Sequence, residues 1–301
     1  KITESKCIQW IESCRILYNL ALEQRVTLWK QSRKSMSYFD QANQLHEFKN
    51  EFPEFKNIDA QCLRDSIFRL DKAYQAFFRR FKNKEKAGFP RFKGKNRYDS
   101  FTLYQNSWKL EGKYLTIRNV GRFKLHLNRP INGSIKTITI KKTLTNQWFV
   151  SFSCDTVPVR NFSETDKEVG IDVGIKNFCV DSEGEVIENP KHFAKSVKIL
   201  KRRQQSLSKK KKGSQNRNGA RLSVAKTHEK ISNQRKDFLH KTANFYIQNY
   251  QMIYIEDLNI KNMIKNKYLS RNIADSSWGM FFSFLSYKAE EAGRQVIKVP
   301  S

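Results

Sequence analysis

Gly170-Ile171-Asp172-Val173-Gly174-Ile175-Lys176 is the stretch on which the fold turns. Read as a strand, it alternates: Val169, Ile171 and Val173 take one face, and Gly170, Asp172 and Gly174 take the other. A carboxylate between two glycines on one strand face has open space around it, so metal ions and a phosphate backbone can approach closely. The plainer alternative is an Asp that shapes a turn near a strand end. Such an Asp has no need of a glycine on each side along one face, so Asp172 reads as a site residue.

A second acid closes Ile253-Tyr254-Ile255-Glu256-Asp257-Leu258. Glu256 faces away from Ile253 and Ile255. A carboxylate ending a buried strand must be paired, metal-bound or at the strand mouth. Its bland alternative is a Glu reaching into solvent, and Asp257 reads as the turn residue that follows. Two carboxylates on neighbouring strands can hold Mg²⁺ or Mn²⁺, hard cations that prefer oxygen. Two-metal hydrolysis of a phosphodiester sets its cations about 3.5–4 Å apart and as a rule uses a third or fourth acid. Asp275 precedes a helical pattern and reads as its N-cap, so the missing acid is expected beyond Ser301.

Around these acids the pattern gives strands at 169–173, 178–180 and 186–187, then helices at about 191–211 and 221–250. A strand at 252–256, a helix at about 276–292 and a strand at 296–299 follow. The order β-β-β, helices, β, α, β predicts an RNase H-like sheet with a helical hairpin inserted. Val224, Ile231, Phe238 and Phe245 repeat every seven residues, which suits a hairpin packed along a seam. Lys195 to Lys241 holds 16 Lys and Arg against two acids, Glu229 and Asp237, with Lys209, Lys210, Lys211 and Lys212 at the bend. A solvated lysine loop is the plain reading. A surface that tracks phosphates is the functional one, since neutralised phosphates are the main source of nucleic-acid affinity.

Upstream the texture differs. Residues 4–31 read as a helix and about 39–51 as another that ends at Pro53. Leu63, Ile67, Leu70, Tyr74, Phe77 and Phe81 mark a third, with Asp59 as its N-cap. Its opposite face carries Arg64, Arg69, Lys72, Arg79 and Arg80, charges of one sign that suit nucleic acid better than a merely solvated face. Gly88-Phe89-Pro90-Arg91-Phe92-Lys93-Gly94 breaks the helix. Short strands at 101–104, 114–117, 122–127, 135–141 and 148–154 predict a small antiparallel barrel, and Pro158 with the polar stretch after it predicts a linker.

The whole chain has 301 residues, enough for two or three domains, and 57 Lys and Arg against 29 Asp and Glu give a net charge of +28. Nucleic acid is the default partner for that excess. No apolar run reaches the roughly 18 residues of a membrane span and no signal peptide is visible, which sets a membrane aside. Cys7, Cys14, Cys62, Cys154 and Cys179 have no C-x₂-C spacing, which argues against zinc held by these residues. Their odd, scattered count argues against a disulfide framework and for a reduced cytosolic compartment. The chain starts at Lys1 without Met and stops at Val299-Pro300-Ser301 after a strand-like run, so further residues are expected at both ends.

Taken in order, these segments resemble TnpB, the transposon-encoded relative of type V CRISPR effector nucleases. Residues 170–176 with Phe178 are similar to its first RuvC motif, and Glu256-Asp257-Leu258 with Lys261-Asn262-Met263 to its second. Ala274-Asp275-Ser276-Ser277-Trp278-Gly279 and Tyr287-Lys288-Ala289-Glu290 resemble the helix after it. Gly293-Arg294 through Val299-Pro300 is similar to the strand before the family's zinc ribbon. Arg15 with Tyr18-Asn19, Phe77-Phe78, and the 88–92 run resemble its N-terminal half, and Arg235-Lys236-Asp237-Phe238-Leu239-His240-Lys241 matches a run on its long helix. The likeness covers nearly the whole chain.

The resemblance implies an α+β multidomain protein: a helical recognition lobe at 1–95, a β-barrel wedge domain at 96–160 and a RuvC-like nuclease domain at 161–301 with the basic hairpin at about 191–250. It implies a transposon-end guide RNA, a target DNA recognised beside a short motif, and cleavage in a prokaryotic cytoplasm close to the nucleoid. Asp172 and Glu256 would be the metal-binding catalytic carboxylates. Tyr38, Arg64 and Thr102 correspond to positions facing the short DNA motif, and Lys209, Lys210, Lys211, Lys212, Arg235 and Lys236 to the nucleic-acid surface. The family's Zn²⁺ ribbon, last catalytic Asp and usual first strand have no counterpart in these 301 residues. Two other readings compete. A nuclease-dead, RNA-guided repressor on the same scaffold would be free to lose its acids. An acidic-triad transposase would bind transposon ends without RNA.

Overall fold

The structure, a computed structural model, describes residues 2–158, 162–163 and 165–300. It divides into two compact units, Lys1–Pro158 and Val159–Ser301. The stretch expected to be a linker falls partly outside the described residues.

The first unit opens with α1 (Ile2–Ser32). Where one helix was expected at 39–51, two short ones form, α2 (Tyr38–Asn43) and α3 (Leu45–Glu51), with Gln44 ending one and starting the next. Ser37 and Asp40 start α2 with reciprocal bonds between side chain and backbone, a capping box. A 3₁₀ turn at Pro53–Phe55 leads to α4 (Ala60–Lys82). Asp59 caps α4 as its position predicts, accepting from the amides of Gln61 at 2.9 Å and Cys62 at 3.1 Å.

Six strands follow: β1 (Ser100–Tyr104), β2 (Trp108–Glu111), β3 (Tyr114–Ile117), β4 (Gly121–Lys124), β5 (Ser134–Lys142) and β6 (Trp148–Asp155). The expected barrel does not close. The strands make two separate three-stranded antiparallel sheets, in the orders β1-β5-β6 and β2-β3-β4. Helices cover the apolar faces, so closure is not needed to bury them. Trp10 of α1 packs on Phe101 of β1 with ring centres 5.5 Å apart. Leu103, Leu115, Ile117, Ile138 and Ile140 share one buried cluster with Cys14, Leu17, Leu63 and Ile67. The sequence pattern misses β2 because Trp108 and Leu110 are its only apolar residues.

The second unit holds β7 (Glu168–Val173), β8 (Asn177–Asp181) and β9 (Val186–Glu188), then α5 (His192–Ser208) and α6 (Gln215–Asn249). β10 (Met252–Glu256), α7 (Ile260–Met263), α8 (Ser270–Ser276), α9 (Trp278–Ala292) and β11 (Gln295–Val299) complete it. The sheet order is β11-β10-β7-β8-β9. β7, β8 and β9 form an antiparallel meander, and β10 runs parallel to both β7 and β11. One face of this sheet is dry: Val169, Ile171, Ile253 and Ile255 are buried with Leu239, Ala243 and Tyr246 of α6 and Phe281 and Leu285 of α9.

α5 and α6 form the expected hairpin. Arg203 ties them, donating to the carbonyl of Ser223 at 3.1 Å and the hydroxyl of Thr227 at 2.5 Å. The seven-residue seam does not hold along α6. Ile231 is buried, Phe245 is 40 % exposed, and Leu239, Ala243, Tyr246 and Ile247 take over. A straight helix at 3.6 residues per turn drifts off a strict seven-residue repeat. No helix among the described residues is long and apolar enough to cross a membrane.

Candidate active site

The parallel pairing of β7 and β10 matches Tyr254 with Gly170 and Ile255 with Ile171. One step further along that register sets Glu256 beside Asp172. Adjacent strands run about 4.8 Å apart, close enough for two side chains to share a cation. Because Ile171 and Ile255 turn into the core, their neighbours Asp172 and Glu256 turn to the opposite face. There both line one cavity of about 390 Å³, with Gly170, Ser182, Tyr254 and Val299. No Lys or Arg lines it, and neither carboxylate has a hydrogen-bond or ion-pair partner among the described residues.

The two glycines flanking Asp172 do different work. A methyl group on Gly170 would meet nothing closer than the Ser182 Cβ at 3.9 Å, so this glycine does leave the cavity floor open. One on Gly174 would come within 3.1 Å of the Asn177 carbonyl. Gly174 therefore belongs to the tight β7–β8 turn, closed by its amide bonding to the Phe178 carbonyl at 3.1 Å. The reading of both glycines as open space holds for one.

Three other acids of this unit are committed to bonds of their own, Asp181 among them although it also lines the cavity. Asp257 pairs with Lys298 at 3.0 Å, and its amide bonds the Val299 carbonyl. Asp181 is 5 % exposed and accepts from the amides of Glu183 at 3.1 Å and Glu185 at 2.9 Å and from the Tyr246 hydroxyl at 3.3 Å, so it organises the β8–β9 turn. Asp275 does not cap the helix that follows it. It lies in α8 and accepts from the amides of Phe193 at 3.1 Å and Ala194 at 3.3 Å, at the start of α5. Lys191, the N-cap residue of α5, has φ 48° and no side-chain bond to the helix. The cap comes from a residue some eighty positions away, a link that local spacing cannot show. Arg235 pairs with the same carboxylate at 2.9 Å.

The donor set of the cavity is thus two free carboxylates, which suits an oxygen-seeking divalent ion. Among the described residues no group of three His, Cys, Asp or Glu side chains is gathered that could hold a metal. Burial pushes the Cys179 thiol, on the core side of β8, up to about 11, so it stays a neutral packing group. Tyr254 and Ser182 were not singled out in the sequence. Tyr254 could have been: it alternates with Ile253 and Ile255 and so shares the face of Glu256. Its hydroxyl donates to Glu168 at 3.1 Å, and this bond raises its pKa.

The expected nucleic-acid residues are spread over both units. Lys209, Lys210, Lys211 and Lys212 are exposed at the α5–α6 turn. Arg217 holds that turn, donating to the carbonyls of Leu207 at 3.0 Å and Lys210 at 2.8 Å. Lys236 is exposed, whereas Arg235 is half-buried in its pair with Asp275. In the first unit, Tyr38 and Thr102 both reach the Arg64-to-Arg69 stretch of α4. Tyr38 packs edge-on to Phe68 at 5.6 Å, and the Thr102 hydroxyl accepts from Arg69 at 2.8 Å. Arg64 is exposed on that same stretch.

The chain has known relatives. The family model OrfB_IS605, described as a probable transposase, matches residues 151–267. A protein of Streptomyces pristinaespiralis named as a candidate RNA-guided DNA endonuclease is 31 % identical over 292 residues, 95 % of this chain and 71 % of the relative. Another from Escherichia coli (strain K12), InsQ, bears the same designation and is 30 % identical over 307 aligned positions, 96 % of this chain and 75 % of the relative. Among solved structures, Cas12f1 in its complex with sgRNA and target DNA has a similar fold, with TM-score 0.56 and 15 % identity over 97 % of this chain and 72 % of that one.

Proposed function

This chain belongs to the TnpB family, and on that basis we propose that it is an RNA-guided DNA endonuclease of a transposon. In this reading it cuts guide-matched DNA beside a short motif, by Mg²⁺-dependent phosphodiester hydrolysis at a RuvC-like site, in a prokaryotic cell. One observation carries the proposal: in a chain of net charge +28, Asp172 and Glu256 line one cavity on the open sheet face, one register step beyond the paired Ile171 and Ile255, with no basic partner among the described residues. The β11-β10-β7-β8-β9 order, a meander with two parallel strands added, supports the RNase H-like assignment.

Asp172 and Glu256 supply oxygen ligands from two strands whose register is fixed by backbone pairing. Mg²⁺ or Mn²⁺, when bound there, supplies the positive charge that activates water and steadies the leaving oxygen. Gly170 keeps the cavity floor low enough for a sugar-phosphate backbone. Lys209, Lys210, Lys211 and Lys212 at the α5–α6 turn, and Arg235 and Lys236 further along α6, offer phosphate contacts for the RNA and DNA. Tyr38, Arg64 and Thr102 face the short motif.

The test is cleavage of guide-matched DNA by Asp172→Ala. Mg²⁺-dependent cutting is expected to vanish while the RNA that co-purifies with the protein is retained. Guided cutting that survives the change overturns the site assignment.

A further inference from the structure

The apolar stripe of α4 runs further than the core it serves. Leu63, Ile67 and Leu70 are buried, Tyr74 and Phe77 are half-buried, and Phe78 and Phe81 on the same side are 59 % and 71 % exposed. A helix normally turns polar where it leaves its core; this one stays aromatic. The 88–93 loop returns to the same helix end and adds Phe89, 49 % exposed, with its ring centre 5.4 Å from Phe77 and 5.5 Å from Tyr74. Phe77 in turn touches Phe78 at 5.2 Å and Phe81 at 6.4 Å.

The loop is anchored. Asn19 of α1 accepts from the Lys93 amide at 2.7 Å and donates to its carbonyl at 3.0 Å. Arg15 donates to that carbonyl at 2.9 Å, and the Lys93 ammonium lies over the Tyr18 ring. The rings are thus held in an array before any partner arrives. Arg79, Arg80, Lys82, Lys84 and Lys86 are exposed on this stretch with no side-chain partner among the described residues, and Glu85 is the one acid from 79 to 86.

Charge selects the occupant. Two copies of so basic a face repel each other. Aromatic rings among unpaired cations match unpaired nucleobases, which stack on the rings while their phosphates meet the cations. A DNA duplex keeps its base faces stacked inside, and in the RNA-guided reading DNA is met only during targeting. RNA is the strand carried throughout, and rings this exposed need lasting cover. We propose that Tyr74, Phe77, Phe78, Phe81 and Phe89 form a stacking platform for unpaired bases of the RNA that this protein carries. The inference rests on the RNA-guided reading and names a contact within it.

The experiment compares the whole protein with its Phe81→Ala/Phe89→Ala variant, using oligoadenylate RNA and oligodeoxyadenylate as probes. Both positions are exposed, so the melting temperature is expected to hold. RNA affinity should fall roughly five- to hundredfold. The slope of log affinity against log salt should not change, because no phosphate contact is lost. Arg80→Ala/Lys82→Ala should instead flatten that slope, by roughly 0.7 per phosphate. Phe81→Leu, which keeps an apolar side chain but loses the aromatic face, must also weaken binding, and this settles the matter if the double variant folds poorly. Unchanged RNA affinity in the variants, beside tight binding by the parent, overturns the platform and leaves the RNA-guided reading standing. A larger loss for the DNA probe, or self-association of the parent that the variant abolishes, overturns RNA as the occupant. A parent protein that binds no RNA at all removes the RNA-guided reading itself.

Discussion

Two carboxylate environments lie within one unit of this protein, and they are opposites. At the junction of α5, α6 and α8, Asp275 is 9 % exposed, accepts from two helix-end amides and pairs with Arg235. On the open face of the sheet, Asp172 and Glu256 sit on adjacent strands with no side-chain bond and no basic group lining their cavity among the described residues. Two like charges about one strand spacing apart repel by on the order of 1 kcal/mol in water-like surroundings. No hydrogen bond or ion pair among the described residues offsets that. Asp275 is thus an acid that the fold uses, and the other two are acids that the fold tolerates. An arrangement that weakens the fold and leaves ligands free is what a cation site requires.

The largest effect expected from this contrast is on chemistry. Asp172→Asn or Glu256→Gln should lower Mg²⁺-dependent cleavage by about a thousandfold or more. Metal charge stabilisation is worth several kcal/mol, and each 1.36 kcal/mol is a decade. Stability in urea should be unchanged or slightly higher, since a repulsion is removed. Mn²⁺ should raise the melting temperature of the parent and not of the variants. A variant that unfolds more easily than the parent would place these acids with Asp275 and erase the distinction.

Asp275→Ala should do the reverse. It removes the only side-chain cap of α5 seen among the described residues and leaves the half-buried Arg235 guanidinium without its partner. Urea unfolding should show a loss of about 2–4 kcal/mol. RNA affinity and cleavage, measured where the variant is fully folded, should change far less than in Asp172→Asn. A cleavage loss that matches Asp172→Asn with stability intact would make Asp275 part of the site.

The same contrast marks how far the sequence could be read. Strand alternation is local, so it placed Asp172 and Glu256 on the face opposite Ile171 and Ile255. The order of strands and long helices in the second unit likewise follows from period and turn residues, whereas the short helices α7 and α8 were not expected. What local pattern could not carry was any link made across the chain. The Asp275 cap reaches back to Phe193. The β1-β5-β6 and β2-β3-β4 sheets are hidden by α1 and α4, where a barrel would have hidden them by closing on itself. The Asn19 grip on Lys93 spans 74 positions. Periodicity shows which face is apolar and says nothing about what covers it. The same limit applies to α4, whose regular aromatic stripe gave no sign that its second half stays in water.

The smallest effects test the cavity floor, where the comparison narrows to two glycines four residues apart. Gly174→Ala puts a methyl 3.1 Å from the Asn177 carbonyl, inside a turn that has little room to relax. It should lose about 1 kcal/mol of stability. Gly170→Ala meets nothing within 3.9 Å. Its backbone is ordinary strand, so the variant should gain a few tenths of a kcal/mol by restricting the unfolded chain. Yet this methyl stands on the floor between Tyr254 and Asp172, where the proposed function puts the sugar-phosphate backbone. Cleavage should slow by about tenfold, short of the hundredfold that a 1 Å misplacement can cause. A protein made slightly more stable and clearly slower by one methyl group would identify the open face of β7 as the surface on which the strand lies. If Gly170→Ala cuts at the parental rate, the strand does not pass over residue 170, and Gly170 is a feature of folding alone.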